Sequence, residues 1–353
     1  MQFKDIEGQV VTANHLTEII DSGRVSHAQL FLGDTASGSL ALALAYAQYL
    51  DCEHREHFDS DADGLRADSC GKCPSCLKYQ QLSHPDLHLF FPSAATATVT
   101  GDGVASSSFQ SEFREFLNTK QQRGTIDDWY SFIQIDNKQA AINVRDANEM
   151  VRLLSLKSYE NAYKVFIIWM PEKMNLPCAN TLLKSLEEPS DRTIFLLVAE
   201  NSDRMLSTIL SRTQLVKIPR TEEGLLMPAE MQAEFATLFV TWMRQLFKLN
   251  MASLSQWVET VAAMTREQQK QFLRYAQESL RECFLLHLAG KPMHIDFGDD
   301  KFNSSFPNMI TLRNVELLTD VFNDAVFAIE RNAHPKITFM ELSFRISRAL
   351  KNR

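Results

Sequence analysis

Three cysteines recur with two residues between them in Cys70-Gly71-Lys72-Cys73-Pro74-Ser75-Cys76, and a fourth, Cys52, lies eighteen positions upstream of Cys70. Thiolates at this spacing are ligands for a tetrahedral zinc ion. Four sulfur ligands leave no open position for a reacting water, so the expected role is structural. His54 and His57 are the fallback ligands should Cys52 lie too far away, although neither has the spacing of a His-x₃-His pair. A second stretch, Gly33-Asp34-Thr35-Ala36-Ser37-Gly38-Ser39-Leu40, carries the two glycines of a phosphate-cradling loop. A working loop continues with a lysine for the β- and γ-phosphates and a hydroxyl for Mg²⁺, and this chain has Ser39 and Leu40 there. No ATP is therefore expected at Gly33, Gly38, Ser39 and Leu40.

A metal-binding acidic motif should close the apolar run 165–169, yet the sequence reads Ile168-Trp169-Met170-Pro171-Glu172. Trp169 and Met170 can neither hold Mg²⁺ nor polarise water. Glu172 lies three residues past the expected metal position and is assigned to capping the following turn. Cys178 and Cys283 sit in apolar helical contexts with no His at motif spacing, so they are read as packed thiols without a function.

These residues need a scaffold, and the pattern around them supplies one. Gln29 to Leu32 is a short apolar strand, and Leu40 to Leu50 follows as an Ala/Leu-rich helix, which places the glycine loop between strand and helix. Further strands are expected at 87–91, 165–169, 193–199 and 214–218, with helices at 143–156 and 180–186. Buried strands separated by helices make a parallel α/β sheet. Residues 93 to 108 hold hardly any large apolar side chain, so the region 93–125 is read as a flexible surface insertion. Beyond Pro219 the period changes: Phe235, Leu238, Phe239, Trp242 and Leu246 follow helical spacing, as do Leu312, Val315, Leu318, Val321, Phe322, Ala325 and Ile329. Residues 221–231, with Gly224 and Pro228, read as a linker into an all-helical domain at 232–353.

The chain has 353 residues, 45% apolar and 23% charged, which suits two or three folded domains. With 36 basic against 44 acidic side chains the net charge is −8, so the surface as a whole cannot attract nucleic acid and any DNA contact is local or shared with partners. No run approaches a membrane span and the first residues lack the apolar core of a secretory signal, so the expected location is the cytoplasm, with no membrane.

Tyr163-Lys164-Val165-Phe166-Ile167-Ile168, Asn180 to Pro189 (Asn-Thr-Leu-Leu-Lys-Ser-Leu-Glu-Glu-Pro) and Leu210-Ser211-Arg212-Thr213 resemble the bacterial DNA polymerase III clamp-loader subunits. In that family the ATPase subunits, gamma or tau, keep both nucleotide motifs. The delta-prime type has lost them and keeps the fold and a Ser-Arg-Cys motif, and this chain is similar to that type over roughly 1–220. The similarity is weaker in the C-terminal part, at Arg331-Asn332-Ala333-His334-Pro335-Lys336. The resemblance implies an AAA+ α/β domain with an inserted zinc module at 52–76, followed by an all-α collar, with 221–231 in place of the usual three-helix lid. It also implies that Arg212 reaches across a subunit interface as an arginine finger toward ATP bound next door, with Thr213 replacing the usual cysteine. A planar cation there offsets charge growing on the γ-phosphoryl oxygens; the plainer role is a surface arginine paired with a carboxylate.

The implied partners are the gamma/tau ATPase subunits and the delta subunit, with the sliding clamp and primer-template DNA met through the complex. The chain would belong to the DNA polymerase III holoenzyme without hydrolysing ATP itself. An active ATPase subunit would need a lysine at Ser39 and a carboxylate at Trp169 or Met170. A free-standing zinc-dependent nucleic-acid-binding protein would rest on Arg55, Arg66, Lys72 and Lys78, which Asp51, Glu53, Glu56, Asp59, Asp61, Asp63 and Asp68 offset.

Overall fold

The computed structural model describes all residues except 35–36, 60–63, 121–123, 136–139, 160–162, 221–228, 249 and 352–353. It divides into two compact units, Met1–Glu223 and Gly224–Arg353.

In the first unit α1 (Val10–Asp21) precedes β1 (Ala28–Leu32) and α2 (Ser39–Leu50). A small antiparallel hairpin, β2 (Glu56–His57) and β3 (Ala67–Asp68), leads to α3 (Pro74–Gln80) and β4 (Leu87–Phe90). Then come α4 (Gln110–Thr119), α5 (Ile126–Phe132), α6 (Val144–Ser155), β5 (Lys164–Trp169), α7 (Leu176–Glu187), β6 (Thr193–Ala199), α8 (Ser207–Leu210) and β7 (Gln214–Lys217). The sheet has five strands in the order β4-β5-β6-β1-β7, every pair parallel. The five strands expected from the sequence are these five.

Strands β5 and β6 are buried along their whole length, because helices cover both faces of a parallel sheet. Alternation sorts their side chains. Val165, Ile167, Trp169, Leu196 and Val198 face a core shared with α2, α4 and α5. Phe166, Ile168, Phe195 and Leu197 face the opposite core with α6 and α7. Helix α2 is buried at all twelve positions, which explains why it is apolar on every side.

The region 93–125 differs from the flexible surface insertion expected. Its α4 puts Phe113, Phe116 and Leu117 in the core, with Phe113 stacked on Phe91 at 3.8 Å and edge-on to Trp129 at 5.1 Å. Even the polar stretch before it is anchored, since Ser106 is buried and donates through N–H (2.7 Å) and Oγ–H (2.6 Å) to Asp146. The low apolar content of 93–108 hid this, because the aromatic side chains that bury the insertion begin only at Phe109.

The second unit is all-helical: α9 (Ala229–Lys248), α10 (Met251–Ala262), α11 (Arg266–Ala289), α12 (Asp300–Ser305), α13 (Val315–Glu330) and α14 (Pro335–Lys351). Its core centres on Trp242, which stacks on Trp257 at 4.5 Å and donates from its indole N–H to Ser343 Oγ at 2.8 Å. Most of the expected linker, 221–228, lies outside the described residues, and 229–231 already belong to α9. Arg331 to His334 make the turn between α13 and α14, with Asn332 at a φ of 62° and Pro335 opening the last helix. Among the described residues no helix is long and apolar enough to cross a membrane.

Candidate functional site

The glycine loop leaves the carboxyl end of β1, where parallel sheets bind ligands. Gly33 donates its N–H to the Ala199 carbonyl at 3.1 Å. Gly38, at a φ of 69°, turns the chain into α2. Among the described residues of the loop, the Ser37 and Ser39 hydroxyls crowd against Gly33. Ser37 Oγ–H donates to the Asp34 carbonyl at 2.7 Å, which leaves the Ser39 hydroxyl to donate to Ser37 Oγ. A Cβ on Gly33 would collide with both hydroxyls. The Ser37 N–H is spent on the Asp34 carbonyl at 3.0 Å, so this amide does not face a ligand. Leu40 is buried in the core beneath. Beside the loop lies a partly open cleft lined by Gly33, Ser39, Gly124, Trp169, Met170 and Glu200.

The loop is also tied down from outside. Gln9 Nε2 donates to the carbonyls of Ser37 (2.8 Å) and Pro219 (2.6 Å), and Arg220 pairs with Asp34 at 3.5 Å. Gln9 joins the loop to the chain leaving β7. Sequence reading missed it, since a glutamine just ahead of a helix carries no signal of its own.

At the end of β5, Trp169 is buried against Phe113 and Phe116 (5.6 and 6.2 Å between ring centroids). Met170 follows in the left-handed region at a φ of 58°. Glu172 reaches beyond its own turn. Its Oε1 accepts from the N–H groups of Glu200 (2.9 Å) and Asn201 (3.3 Å), clamping the loop after β6. Oε2 is buried with no hydrogen-bond partner, and burial pushes the carboxyl up to about 7.

The cysteine cluster assembles as the spacing predicts. One sulfur from each of Cys52, Cys70, Cys73 and Cys76 lies within 4.8 Å of the others, and Cys70 and Cys76 are 3.9 Å apart. Bonds of about 2.3 Å to a central zinc put tetrahedral sulfurs about 3.8 Å apart, so the set fits that ion. Backbone N–H groups of Cys70, Lys72, Cys73 and Cys76 donate to the sulfurs at 3.3 to 3.4 Å, the arrangement that supports thiolate charge. A hydrogen bond from Cys76 pushes the Cys52 thiol down to about 5. His54 and His57 are exposed and outside the cluster, so Cys52 needs no substitute.

The cluster is anchored to the body of the first unit. Asp68 accepts the N–H groups of Phe3 (3.1 Å) and Lys4 (3.0 Å), and Tyr79 donates its hydroxyl to Asp51 at 2.6 Å. Asp51 and Asp68 are thus buried and hydrogen-bonded inward. Cys178 and Cys283 are buried as expected, their thiols pushed up to about 12 by burial.

Arg212 stands in the turn between α8 and β7 with its side chain about one-third exposed. Its Nε–H donates to Glu187 Oε1 at 2.6 Å and its Nη2 reaches the same oxygen, while Nη1 donates to the Thr208 carbonyl (2.9 Å) and Ser211 Oγ (3.2 Å). Thr213 donates its hydroxyl to the Ile209 carbonyl at 3.1 Å. Glu187 was unassigned in the sequence reading. Its signal is a carboxylate in the last turn of a helix, where the dipole disfavours it.

A family profile described as "DNA polymerase III, delta subunit" matches residues 8–222, nearly the whole first unit. The chain belongs to this family. Among curated relatives, DNA polymerase III subunit delta' of Haemophilus influenzae is 30% identical over 211 residues, 59% of this chain and 48% of that one. Subunit delta' of Bacillus subtilis is 27% identical over 223 residues, covering 62% and 51%. Subunit gamma/tau of Mycobacterium bovis is 25% identical over 228 residues, covering 64% and 30%. The chain thus spans about half the length of the delta' relatives it matches. Within the DNA polymerase III delta family, the cysteine cluster, the glycine loop and Arg212 all fall inside the matched residues.

Proposed function

We propose that this chain is a non-hydrolysing delta'-type subunit of a replicative clamp loader. It would act by contact within a hetero-oligomer containing gamma/tau ATPase subunits and a delta subunit. It would meet the sliding clamp and primer-template DNA through that assembly, in the cytoplasm. The observation that carries the reading is the closed glycine loop: no lysine follows Gly38, the serine hydroxyls fill the cradle, and Trp169 is buried where a metal-binding carboxylate would stand. Such a loop offers a triphosphate no charge partner.

In this reading the catalytic contribution is Arg212, acting in trans on ATP held by a neighbour. Its place in a surface turn between α8 and β7, backed by a helix and a sheet strand, supports a planar cation presented outward. The four cysteines would hold zinc, which supplies a structural cross-link between the segment after α2 and the start of α3. The helical second unit would serve as the collar. Residues 218–228 between β7 and α9 are too few for a three-helix lid, which supports a chain that has no nucleotide to cover.

The test is reconstitution with the cognate ATPase subunits and measurement of DNA- and clamp-stimulated ATP hydrolysis. Arg212→Ala is expected to lower the rate by roughly 10³-fold at sites served by this subunit, with assembly intact. Unchanged hydrolysis in an intact complex contradicts the finger; failure to assemble at all contradicts the delta'-type role.

A further inference from the structure

We propose that Glu187 is a positioning residue that parks Arg212 in the unassembled chain and yields it to a phosphate on assembly. The inference rests on the trans-acting role proposed above and adds its control. Four hydrogen bonds already occupy the guanidinium, two of them to one carboxylate oxygen across the edge formed by Nε and Nη2. That edge is the one by which arginine grips a carboxylate or a phosphate in a forked pair. A phosphate and Glu187 therefore compete for the same donors. Glu187 also lies in the last turn of α7, where the helix dipole opposes a negative side chain, so the carboxylate gains from a cation and loses when the cation leaves.

The remaining donor, Nη1, is held by the Thr208 carbonyl and Ser211 Oγ on the arginine's own turn. Releasing Glu187 thus frees one edge of the fork without freeing the whole side chain. The guanidinium stays seated on α8 and turns its open edge outward. Both partners are partly exposed, about one-third for Arg212 and one-half for Glu187, so the pair is weak enough to exchange against a phosphate dianion. In a parked state the cation does not meet stray anions or a wrong interface. In the assembled state the phosphate replaces a carboxylate of lower charge.

The experiment is a double-mutant cycle in the reconstituted complex, with Glu187→Gln, Arg212→Ala and the double variant, each checked for assembly. Glu187→Gln keeps an acceptor and removes the charge. It is expected to raise ATP hydrolysis without clamp and DNA roughly two- to fivefold, the fold-change expected for loss of a surface ion pair. The double variant is expected to match Arg212→Ala, because the carboxylate acts only through the arginine. In the free chain, Arg212 Hε exchange with water, followed by ¹⁵N NMR, is expected to quicken in Glu187→Gln. If Arg212→Ala abolishes hydrolysis while Glu187→Gln leaves it unchanged or lowers it, the parking role is overturned and the finger stands. If Arg212→Ala has no effect in an intact complex, the finger itself fails and the pair is a surface ion pair.

Discussion

At the scale of single residues, the chemistry of this chain lies in what its side chains have replaced. Ser39 and Leu40 follow Gly38, and the Ser39 hydroxyl donates to Ser37 Oγ. The residue types were legible in the sequence; the contact between the two hydroxyls was not. The Arg212 pairing with Glu187 was not legible, because it joins residues 25 positions apart on two elements. Glu172 was legible only as a carboxylate; that it clamps Glu200 and Asn201 depends on β5 and β6 being neighbours. Its carboxyl is raised from 4.5 to about 7 by burial, so the folded chain holds a proton that the unfolded chain releases above pH 4.5. Its contribution to stability is therefore full at low pH and is lost as pH rises through 7. Glu172→Gln, which keeps the acceptor for both N–H groups, is expected to flatten the fall in stability between pH 4.5 and 8 by about 3 kcal/mol, read from denaturant titrations across that range.

Elements carry the next level of the account. Apolar runs and glycine punctuation located all five strands, since buried parallel strands are continuous in hydrophobicity. The same signal failed for α4 and α5, whose cores come from a few aromatics, Phe113, Phe116 and Trp129, scattered among polar residues. Phe113→Ala would empty the stack between Phe91 and Trp169, and is expected to destabilise the first unit by roughly 3–5 kcal/mol in a thermal or denaturant melt. Gln9 performs a different task, holding the glycine loop to the exit of β7 through two carbonyls. Gln9→Ala leaves the buried Ser37 carbonyl without that donor, and a loss of about 2 kcal/mol is expected, with faster amide exchange around residues 37–39. For the cysteine cluster, metal analysis of the purified chain is expected to give one zinc per chain, and Cys73→Ser is expected to lose it. A cobalt-loaded chain should show intense thiolate-to-metal absorption, and a chain without metal at full solubility and unchanged melting temperature would contradict a structural zinc.

For the molecule as a whole, the chain divides into Met1–Glu223, a parallel α/β unit, and Gly224–Arg353, an all-helical one, and the two architectures bury their cores with different periods. Membership of the DNA polymerase III delta family rests on the first unit, where the match runs from residue 8 to 222. The second unit has its own core around Trp242, Trp257 and Phe272, consistent with a domain that folds on side-chain packing of its own. The proposed function requires that the glycine loop of the first unit binds no ATP. Isothermal titration of the isolated chain with ATP and Mg²⁺ tests this most directly. The account predicts no binding heat up to millimolar nucleotide, and a micromolar Kd that disappears in Ser39→Trp would contradict it.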